Sequence, residues 1–150
     1  ARLDGIDFRQ TAPVRRGAPF IYPYGQEWEA SERVLTMPLP GIRPTMIARA
    51  GGLDQGNICA NLADAQQRGI SENILFLAGS AINSIKNAQG KPDPKVGAEA
   101  MMQALDVHRS GDLRDVPLEQ QPTRLAAIAD RMGYQALKEA LKQRYPGEVA

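Results

Sequence analysis

The stretch NILFLAGS, residues 73–80, gives the strongest indication of the fold. Its apolar run ends at Gly79, and a short apolar run bounded by turn residues is typical of a parallel β-strand buried on both faces. Earlier in the chain, TMIARAGG (residues 45–52) has the same layout, an apolar strand pattern that ends in Gly51 and Gly52. The two stretches therefore predict two parallel strands, each followed by a glycine turn.

Helical patterns separate and follow these strands. Between the strands, Asp54 or Asn57 is expected to cap a helix that ends at Gly69. After the second strand, a Gly- and Pro-rich loop leads to a helix predicted over residues 98–111, and two more helices are predicted over residues 117–146. The apolar face of the first of these is expected to consist of Ala98, Met101, Met102 and Leu105.

The N-terminal region contains a weaker strand candidate, DGIDF (residues 4–8). The next stretch, residues 11–26, holds three prolines and two glycines and therefore predicts a long loop. Irregular connections of this length are often lids or binding loops. A short helix is expected between this loop and Pro38.

This order of elements predicts an α/β fold, because strands that alternate with helices form βαβ units and a parallel sheet. Three such strands make a poor independent sheet, since a buried parallel strand needs neighbours on both sides. The chain also begins with Ala1 rather than Met, which suggests a fragment or a processed product. We therefore expect an incomplete part of a larger α/β structure.

Composition restricts the class of function. The apolar fraction of 43%, the charged fraction of 23% and the net charge of +1 are typical of a globular domain without nucleic-acid or membrane partners. No signal peptide or membrane span is recognised, and a single cysteine fits a reducing, cytoplasmic location. We expect Cys59 to be a buried, inert thiol, and the single histidine, His108, to lie in the last turn of its helix.

The glycine turns are the candidate ligand site. Ligands of parallel α/β folds bind beyond the carboxyl ends of the strands, where glycine lets an anion approach the backbone N–H groups. In (β/α)8 barrels the loops after the last two strands commonly bind phosphate, and the two turns followed by terminal helices fit that layout. The alternative is that Gly51 and Gly52 form only a tight turn. The second turn, at Gly79 and Ser80, favours the phosphate site.

A family resemblance is carried by two segments, PGIRPTMIARAGGLDQGNICANLADAQQRGISENILFLAGSAI (residues 40–82) and GAEAMMQALDVHRSGDL (residues 97–113). Together they resemble the C-terminal third of the large chain of ribulose-1,5-bisphosphate carboxylase/oxygenase (Rubisco), and more closely its non-carboxylating relatives, the Rubisco-like proteins. RLDGIDF (residues 2–8) resembles the sixth barrel strand. The resemblance implies the last three βα units of a (β/α)8 TIM barrel over residues 1–113 and a helical extension over residues 114–150.

The resemblance also implies roles for individual residues. In that family the two glycine turns bind one substrate phosphate through backbone N–H groups, which here implies Gly51, Gly52, Gly79 and Ser80. Ala50 stands where the family often has a serine that contacts the substrate. The resemblance assigns no catalytic residue within this chain.

Two departures from the carboxylases bear on the reaction. The family's lid loop after the sixth strand carries a lysine, whereas residues 11–22 contain none and place Arg15 and Arg16 nearby. An arginine guanidinium is planar and differs in hydrogen-bonding geometry from a lysine ammonium group, so arginine is not functionally equivalent to lysine here. Gln10 stands about where the carboxylases have a histidine. Both departures argue against CO2 fixation and favour proton transfer on a phosphorylated sugar, by enolisation, isomerisation or decarboxylation.

The implied cofactor and partners lie outside these residues. The family's Mg2+ site uses a carbamylated lysine and two carboxylates from an earlier strand, and no matching stretch occurs here. The resemblance therefore places the metal ligands and the main base outside this chain, and implies the remainder of the barrel and a second subunit as partners. Three alternatives stay open: a true carboxylase, another phosphate-binding TIM-barrel enzyme, and a non-catalytic structural or assembly fragment.

Overall fold

The computed structural model describes residues 5–14 and 27–149. Within them, strands β1 (Phe8–Thr11), β2 (Met46–Ala50) and β3 (Ile74–Leu77) form a parallel sheet in the order β1-β2-β3. The helices are α1 (Glu27–Thr36), α2 (Ile58–Gln67), α3 (Gly79–Asn83), α4 (Pro94–Ser110), α5 (Gln121–Met132) and α6 (Gln135–Arg144), with short 3-10 turns at Ser71–Asn73 and Leu118–Gln120. No helix of the described ranges has the length and apolarity that crossing a bilayer requires.

The chain divides into two compact units. The first, which we call the sheet unit, comprises Ala1–Leu53 and Leu62–Leu77. The second, the helical unit, comprises Asp54–Asn61 and Ala78–Ala150. The sequence predicts a boundary between residues 113 and 114, with a helical extension over residues 114–150. This boundary does not coincide with the division into two units, and the extension as a separate domain stays a prediction.

One face of the sheet is covered by helices. Ile47 of β2 is buried with Ala65 of α2 and with Ile70, which follows that helix. Ile74 and Phe76 of β3 pack against this cluster. The predicted parallel pairing of the second and third strands is therefore confirmed, together with α2 between them.

The other face of the sheet carries exposed apolar side chains. Phe8 is 58% exposed, Leu75 44% and Leu77 47%. Side chains alternate between the two faces along a strand, so Leu75 and Leu77 lie opposite Ile74 and Phe76. The expectation that NILFLAGS is buried on both faces is wrong for this chain, because Leu75 and Leu77 are largely exposed.

The first strand lies further along the chain than DGIDF predicts. Gly5 adopts a positive φ of 74° in a turn, and β1 begins only at Phe8. Pairing decides this position, since β1 matches β2 residue for residue from Phe8↔Met46 to Thr11↔Arg49. The hydroxyl of Thr11, expected in the loop, is buried within the sheet unit.

Local capping explains the ends of α2 and the start of α4. Gly69, with φ 67°, follows α2 as expected. The α4 helix begins at Pro94, four residues earlier than the apolar periodicity predicts. The side chain of Asp93 accepts hydrogen bonds from the N–H groups of Lys95 and Val96, and proline is favoured in the first turn because it needs no hydrogen-bond partner there.

The helical unit is built around small and aliphatic residues. Ile85, Ala100 of α4 and Ala140 of α6 form its buried cluster. The predicted apolar face of α4 is only partly correct, because Met102 and Ala98 are exposed. Small residues decide which side of α4 packs against its neighbours, and the buried residues of this helix are Gly97, Ala100, Met101, Ala104 and Val107.

The two predicted terminal helices are confirmed as α5 and α6. Leu125 and Ile128 of α5 and Leu137 and Leu141 of α6 are buried. Gly133, which separates the helices, ends α5 in the left-handed conformation that favours glycine.

Candidate functional site

The strands that lead into the two glycine turns end side by side. Ala50 of β2 and Leu77 of β3 are register partners, so the carboxyl ends of these strands are neighbours at one edge of the sheet. Gly51 and Gly52 follow the first strand directly. The second strand continues through Ala78 to Gly79. This is the edge at which parallel α/β folds bind ligands.

The first turn needs glycine for conformational reasons. Gly51 and Gly52 have φ values of 87° and 96°, in the region that favours glycine over residues with a Cβ. Both residues are exposed. The tight-turn alternative therefore accounts for these two glycines without a ligand.

Gly79 does not share that explanation. It is absent from the residues with a positive φ, and a Cβ added there would meet no atom of the protein within 4 Å. Neither backbone conformation nor packing calls for glycine at this position. An exposed backbone with open space beside it is the arrangement that a ligand contacting main-chain N–H groups requires.

The segment after the first turn is held by reciprocal hydrogen bonds. The carboxylate of Asp54 accepts from the N–H groups of Gly56 (2.8 Å) and Asn57 (3.2 Å). The side-chain oxygen of Asn57 accepts from the N–H of Asp54 at 2.9 Å. The hydroxyl of Tyr145 donates to the same carboxylate at 2.8 Å. The predicted capping role is confirmed for Asp54, while the side chain of Asn57 accepts from the N–H of Asp54 ahead of α2.

A buried group of charges lies on the helix-covered side of β2. Glu32 and Arg49 have fully buried side chains, and the guanidinium donates two hydrogen bonds to the carboxylate, from Nε at 3.0 Å and Nη2 at 2.8 Å. Arg49 also pairs with Asp64, and Arg68 pairs with both acids. We call these four residues the ionic cluster. Its two positive and two negative charges balance.

The ionic cluster keeps Arg49 charged within the protein. Burial alone lowers the pKa of Arg49, but hydrogen bonds and charge from Glu32 and then Asp64 outweigh it and raise the pKa above its usual value. Thr11 adds a hydrogen bond from its hydroxyl to Glu32 at 2.7 Å. The side chain of Arg49 points to the opposite face of the strand from that of Ala50, since side chains alternate along a strand. Arg49 joins β2 to Glu32 of α1 and Asp64 of α2, and Thr11 of β1 is connected through Glu32.

Cys59 and His108 show no sign of a catalytic role. Burial raises the pKa of Cys59 to about 12, so its thiol stays protonated and unreactive, as predicted. His108 lies in the last turn of α4, also as predicted. Partial burial and, secondarily, the charge of Arg109 lower the pKa of His108.

The remaining predicted site residues fall in different parts of the chain. Gly51 and Gly52 belong to the sheet unit, and Gly79 and Ser80 to the helical unit. Ser80 is exposed, and its carbonyl accepts a hydrogen bond from Arg144. The candidate lid residues, Arg15 and Arg16, lie outside the described residues.

The described residues around these turns offer no metal centre. In the ranges 5–14 and 27–149, no group of three or more His, Cys, Asp or Glu side chains is arranged to hold a metal ion. The described side chains therefore do not fit a Mg2+ site, and no reaction step is assigned to them. The implied location of the Mg2+ ligands outside this chain stays a prediction.

Sequence reasoning missed several residues that organise the site. An arginine inside the apolar strand MIARA indicates buried acidic partners, but it does not identify Glu32 and Asp64 among the acids of the chain. Gln55 carried no recognisable signal, although it is fully buried. Gly97 precedes an alanine within a helical pattern, which is a recognisable sign of close helix packing.

Comparison with known proteins supports the fold. No protein-family model matches the chain, and neither does any curated protein. Among solved structures, the chain is similar to the octameric ribulose-1,5-bisphosphate carboxylase/oxygenase from Pyrococcus horikoshii OT3, with a TM-score of 0.59 and 21% sequence identity. The match covers 92% of this chain and 27% of that chain.

The predicted fold class is therefore confirmed. The parallel strands and helices of this chain have the fold of the C-terminal TIM-barrel part of a Rubisco chain, and only a portion of that barrel is present here. The chain spans 27% of the Rubisco chain it matches. At 21% identity the likeness concerns the fold, while activity and substrate belong to the proposal that follows.

Proposed function

We propose that this chain is part of a Rubisco-like enzyme that acts on a phosphorylated sugar by Mg2+-assisted proton transfer, such as enolisation, isomerisation or decarboxylation. In this proposal the chain supplies phosphate contacts from the main-chain N–H groups of Gly51, Gly52, Gly79 and Ser80. Ala50 lies beside the substrate.

The observation that carries the proposal is the pair of glycine turns on a Rubisco-like fold. Ala50 and Leu77 are register partners, and each strand continues into its own turn. Gly79 adds support, because the space a side chain would occupy there is open. Backbone N–H groups beyond parallel strands are a recurrent means of binding phosphate.

The proposed reaction is not a carboxylation, because the sequence lacks residues that a carboxylase uses. The loop over residues 11–22 has no lysine to stabilise a newly added carboxylate, and Gln10 replaces an ionisable histidine. Arg15 and Arg16 would instead provide fixed positive charge in the lid loop. Proton transfer beside a carbonyl makes no carboxylate of that kind, so it does not need this lysine.

The proposal requires partners. The exposed side chains of Phe8, Leu75 and Leu77 form an apolar sheet face that the remainder of the barrel would cover, and that part would also bring the Mg2+ ligands and the main base. We further propose a cytoplasmic homo-oligomer, at least a homodimer. The similar Pyrococcus horikoshii protein is octameric.

Replacement of Gly79 tests the phosphate contacts directly. Gly79→Asp places a carboxylate at the proposed anion position, whereas Gly79→Asn adds a similar volume without the charge. Calorimetry with ribose 5-phosphate should show affinity lowered by about tenfold or more for the aspartate variant, because like charges repel, and a smaller loss for the asparagine variant. Ribose without phosphate is the matched ligand control.

Equal affinities of the wild type and Gly79→Asp for ribose 5-phosphate would overturn the phosphate assignment. Gly79 is a better position for this test than Gly52, whose φ of 96° would strain any replacement. Two readouts on the assembled barrel, dependence of activity on Mg2+ and on prior exposure to CO2, separate a Rubisco-like enzyme from another phosphate-binding barrel.

A non-catalytic assembly piece is the second candidate. The positive φ values of Gly51 and Gly52 favour it, because a tight turn alone explains them. This candidate predicts no binding of ribose 5-phosphate by the wild-type chain and no phosphate or sulfate at either turn in a crystal.

A further inference from the structure

The short helix α3 begins at Gly79 and contains only five residues, Gly79–Asn83. A helix of this length gains too few internal hydrogen bonds to be stable alone. Its position must therefore be set by residues from elsewhere in the chain. Since Gly79 and Ser80 are its first two residues, whatever holds α3 also determines where their main-chain N–H groups lie.

Gln55 is one of the residues that hold α3. Its side chain is fully buried within the helical unit, and Nε2 donates to the carbonyl oxygens of Ala81 at 3.0 Å and Gly97 at 3.2 Å. Ala81 lies in the last turn of α3, where carbonyl groups lack donors from the helix itself. Gln55 therefore caps α3 with its side chain and joins it to α4.

The amide group of Gln55 is only partly paired within the described part of the chain. Its Oε1 is buried and accepts no hydrogen bond from the described part of the chain. Exchanging the two amide atoms would direct oxygen at two carbonyl oxygens, so the observed orientation is the favourable one. A buried acceptor without a donor is costly, and a hydrophobic side chain of similar size would avoid that cost. The two donated hydrogen bonds are thus the feature that distinguishes glutamine here.

Arg144 and Gly97 complete the support of α3. Nη2 of Arg144 donates to the carbonyl oxygen of Ser80 at 2.7 Å and to the hydroxyl of Ser84 at 2.8 Å. Gly97 brings α4 so close that an added Cβ would lie 2.1 Å from the carbonyl oxygen of Ile82. Hydrogen bonds and close packing therefore both restrict the position of α3.

We propose that Gln55 is a positioning residue that sets the backbone of Gly79 and Ser80 for phosphate by capping α3. This inference rests on the proposed function. Gln55 itself touches no substrate. It follows the first glycine turn by three residues and acts on the second turn through α3.

Two substitutions test the role of the donor. Gln55→Glu keeps the shape but, once ionised at alkaline pH, presents a carboxylate to two carbonyl oxygens, and Gln55→Met keeps approximate volume without polar atoms. In both variants, amide hydrogen exchange of Ile82 and Ser84, whose N–H groups donate within α3, should accelerate about 10- to 100-fold. Ribose 5-phosphate affinity should fall by a comparable factor, because misplacing binding groups by about 1 Å has effects of this size.

Lowering the pH separates the lost donor from a general packing defect. In Gln55→Glu, protonation of the introduced carboxyl group creates an O–H donor and should restore part of the exchange protection of α3 as the pH is lowered through about 8–9, because burial beside two carbonyl oxygens raises the pKa of this carboxyl group. Gln55→Met has no such group and should show no recovery. A structural disturbance without a role for the donor would affect both variants alike at every pH.

Gln121→Glu is the matched control. Gln121 is also a buried glutamine of the helical unit with an unpartnered Oε1 in the described ranges, but its Nε2 donates to Val116 rather than to α3. Equal effects of Gln55→Glu and Gln121→Glu on Ile82, Ser84 and ligand affinity would overturn the proposal. If the wild type binds no ribose 5-phosphate, the proposed function and the ligand part of this inference are overturned together. Hydrogen exchange then decides separately whether Gln55 positions α3.

Discussion

The interiors of the sheet unit and the helical unit contain different kinds of side chains. On its covered face the sheet unit contains the ionic cluster, in which Glu32 and Arg49 are fully buried. The helical unit packs aliphatic and small side chains, with Ile85, Ala100 and Ala140 at its centre. In the interior of the sheet unit, each buried charge needs a partner of opposite charge. In the interior of the helical unit, stability depends on how closely the side chains fit together.

The two units also differ in what they leave exposed. Three large side chains of the sheet unit, Phe8, Leu75 and Leu77, lie on its uncovered face. The helical unit buries Leu125, Ile128, Leu137 and Leu141 of α5 and α6, and its large exposed apolar side chains, Met102 and Met132, lie on two different helices. The difference shows that the βα units of a barrel are not closed structures by themselves, because each strand has a second face that other strands must cover.

Removing one partner of the ionic cluster should have the largest effect on stability. We expect Glu32→Leu or Arg49→Met alone to lower the free energy of unfolding by about 3–5 kcal/mol, since each leaves a buried charge without its main partner. The double variant should be more stable than either single variant, because Asp64 and Arg68 still pair with each other. Urea denaturation measures all three.

An exposed ion pair provides the control for the cluster. Asp106→Asn removes the partner of Arg109 on the surface of α4 and should change the free energy of unfolding by about 1 kcal/mol or less. A double cluster variant that is less stable than both single variants would show that the four charges stabilise the sheet unit beyond mutual compensation.

The helical unit should be sensitive to added volume instead. Gly97→Ala forces a Cβ towards backbone atoms of Ile82, the nearest at 2.1 Å, and should cost about 1–3 kcal/mol. Gly79→Ala is the same substitution where a Cβ meets open space, so its cost should be about 1 kcal/mol or less. Thermal unfolding compares the two, and equal losses would contradict the close approach of α3 and α4.

The uncovered sheet face should matter for association more than for stability. Replacing Leu75 and Leu77 together by glutamine should change the free energy of unfolding by about 0.5 kcal/mol or less per site, because both side chains are already largely exposed. Sedimentation velocity should show that the wild-type chain self-associates and that the double variant does so less. Met102→Gln, at an exposed methionine of α4, is the control and should leave association unchanged.

The smallest expected effect is a pH dependence at His108. Its pKa is lowered in the folded protein, so the unfolded chain binds more protons as the pH falls through about 6.5. Stability should therefore decrease over this interval and level off below the folded-state pKa. His108→Gln should remove this part of the pH dependence. Unfolding curves that keep the same slope with pH in the variant would contradict the lowered pKa.

Elements with strong local signals could be predicted from the sequence. The apolar runs of β2 and β3 and the glycines after α2, α4 and α5 indicate these elements without tertiary information. The position of β1 could not be predicted in this way, because pairing with β2 decides it rather than the composition of DGIDF. The earlier start of α4 could have been predicted from the sequence, since Asp93 followed by Pro94 is a typical helix start.

The candidate site was predictable only in part. The two glycine turns follow from strand order, which locates the residues after Ala50 and Leu77. The support beneath them depends on partners far apart in the chain, such as Gln55 with Gly97 and Glu32 with Arg49. Nothing local to these residues identifies their partners, because such pairs are created by the fold itself.

The hydrogen bond between Tyr145 and Asp54 has a consequence for the time course of folding. It joins residues 91 positions apart, and the tyrosine ring lies so close to Gly56 that an added Cβ would contact it at 2.4 Å. At a synthesis rate of about 5–20 residues per second, the Asp54 turn waits roughly 5–20 s on the ribosome for this partner. During that interval the carboxylate of Asp54 lacks this hydrogen bond, so the order of translation delays completion of the segment that follows the first glycine turn.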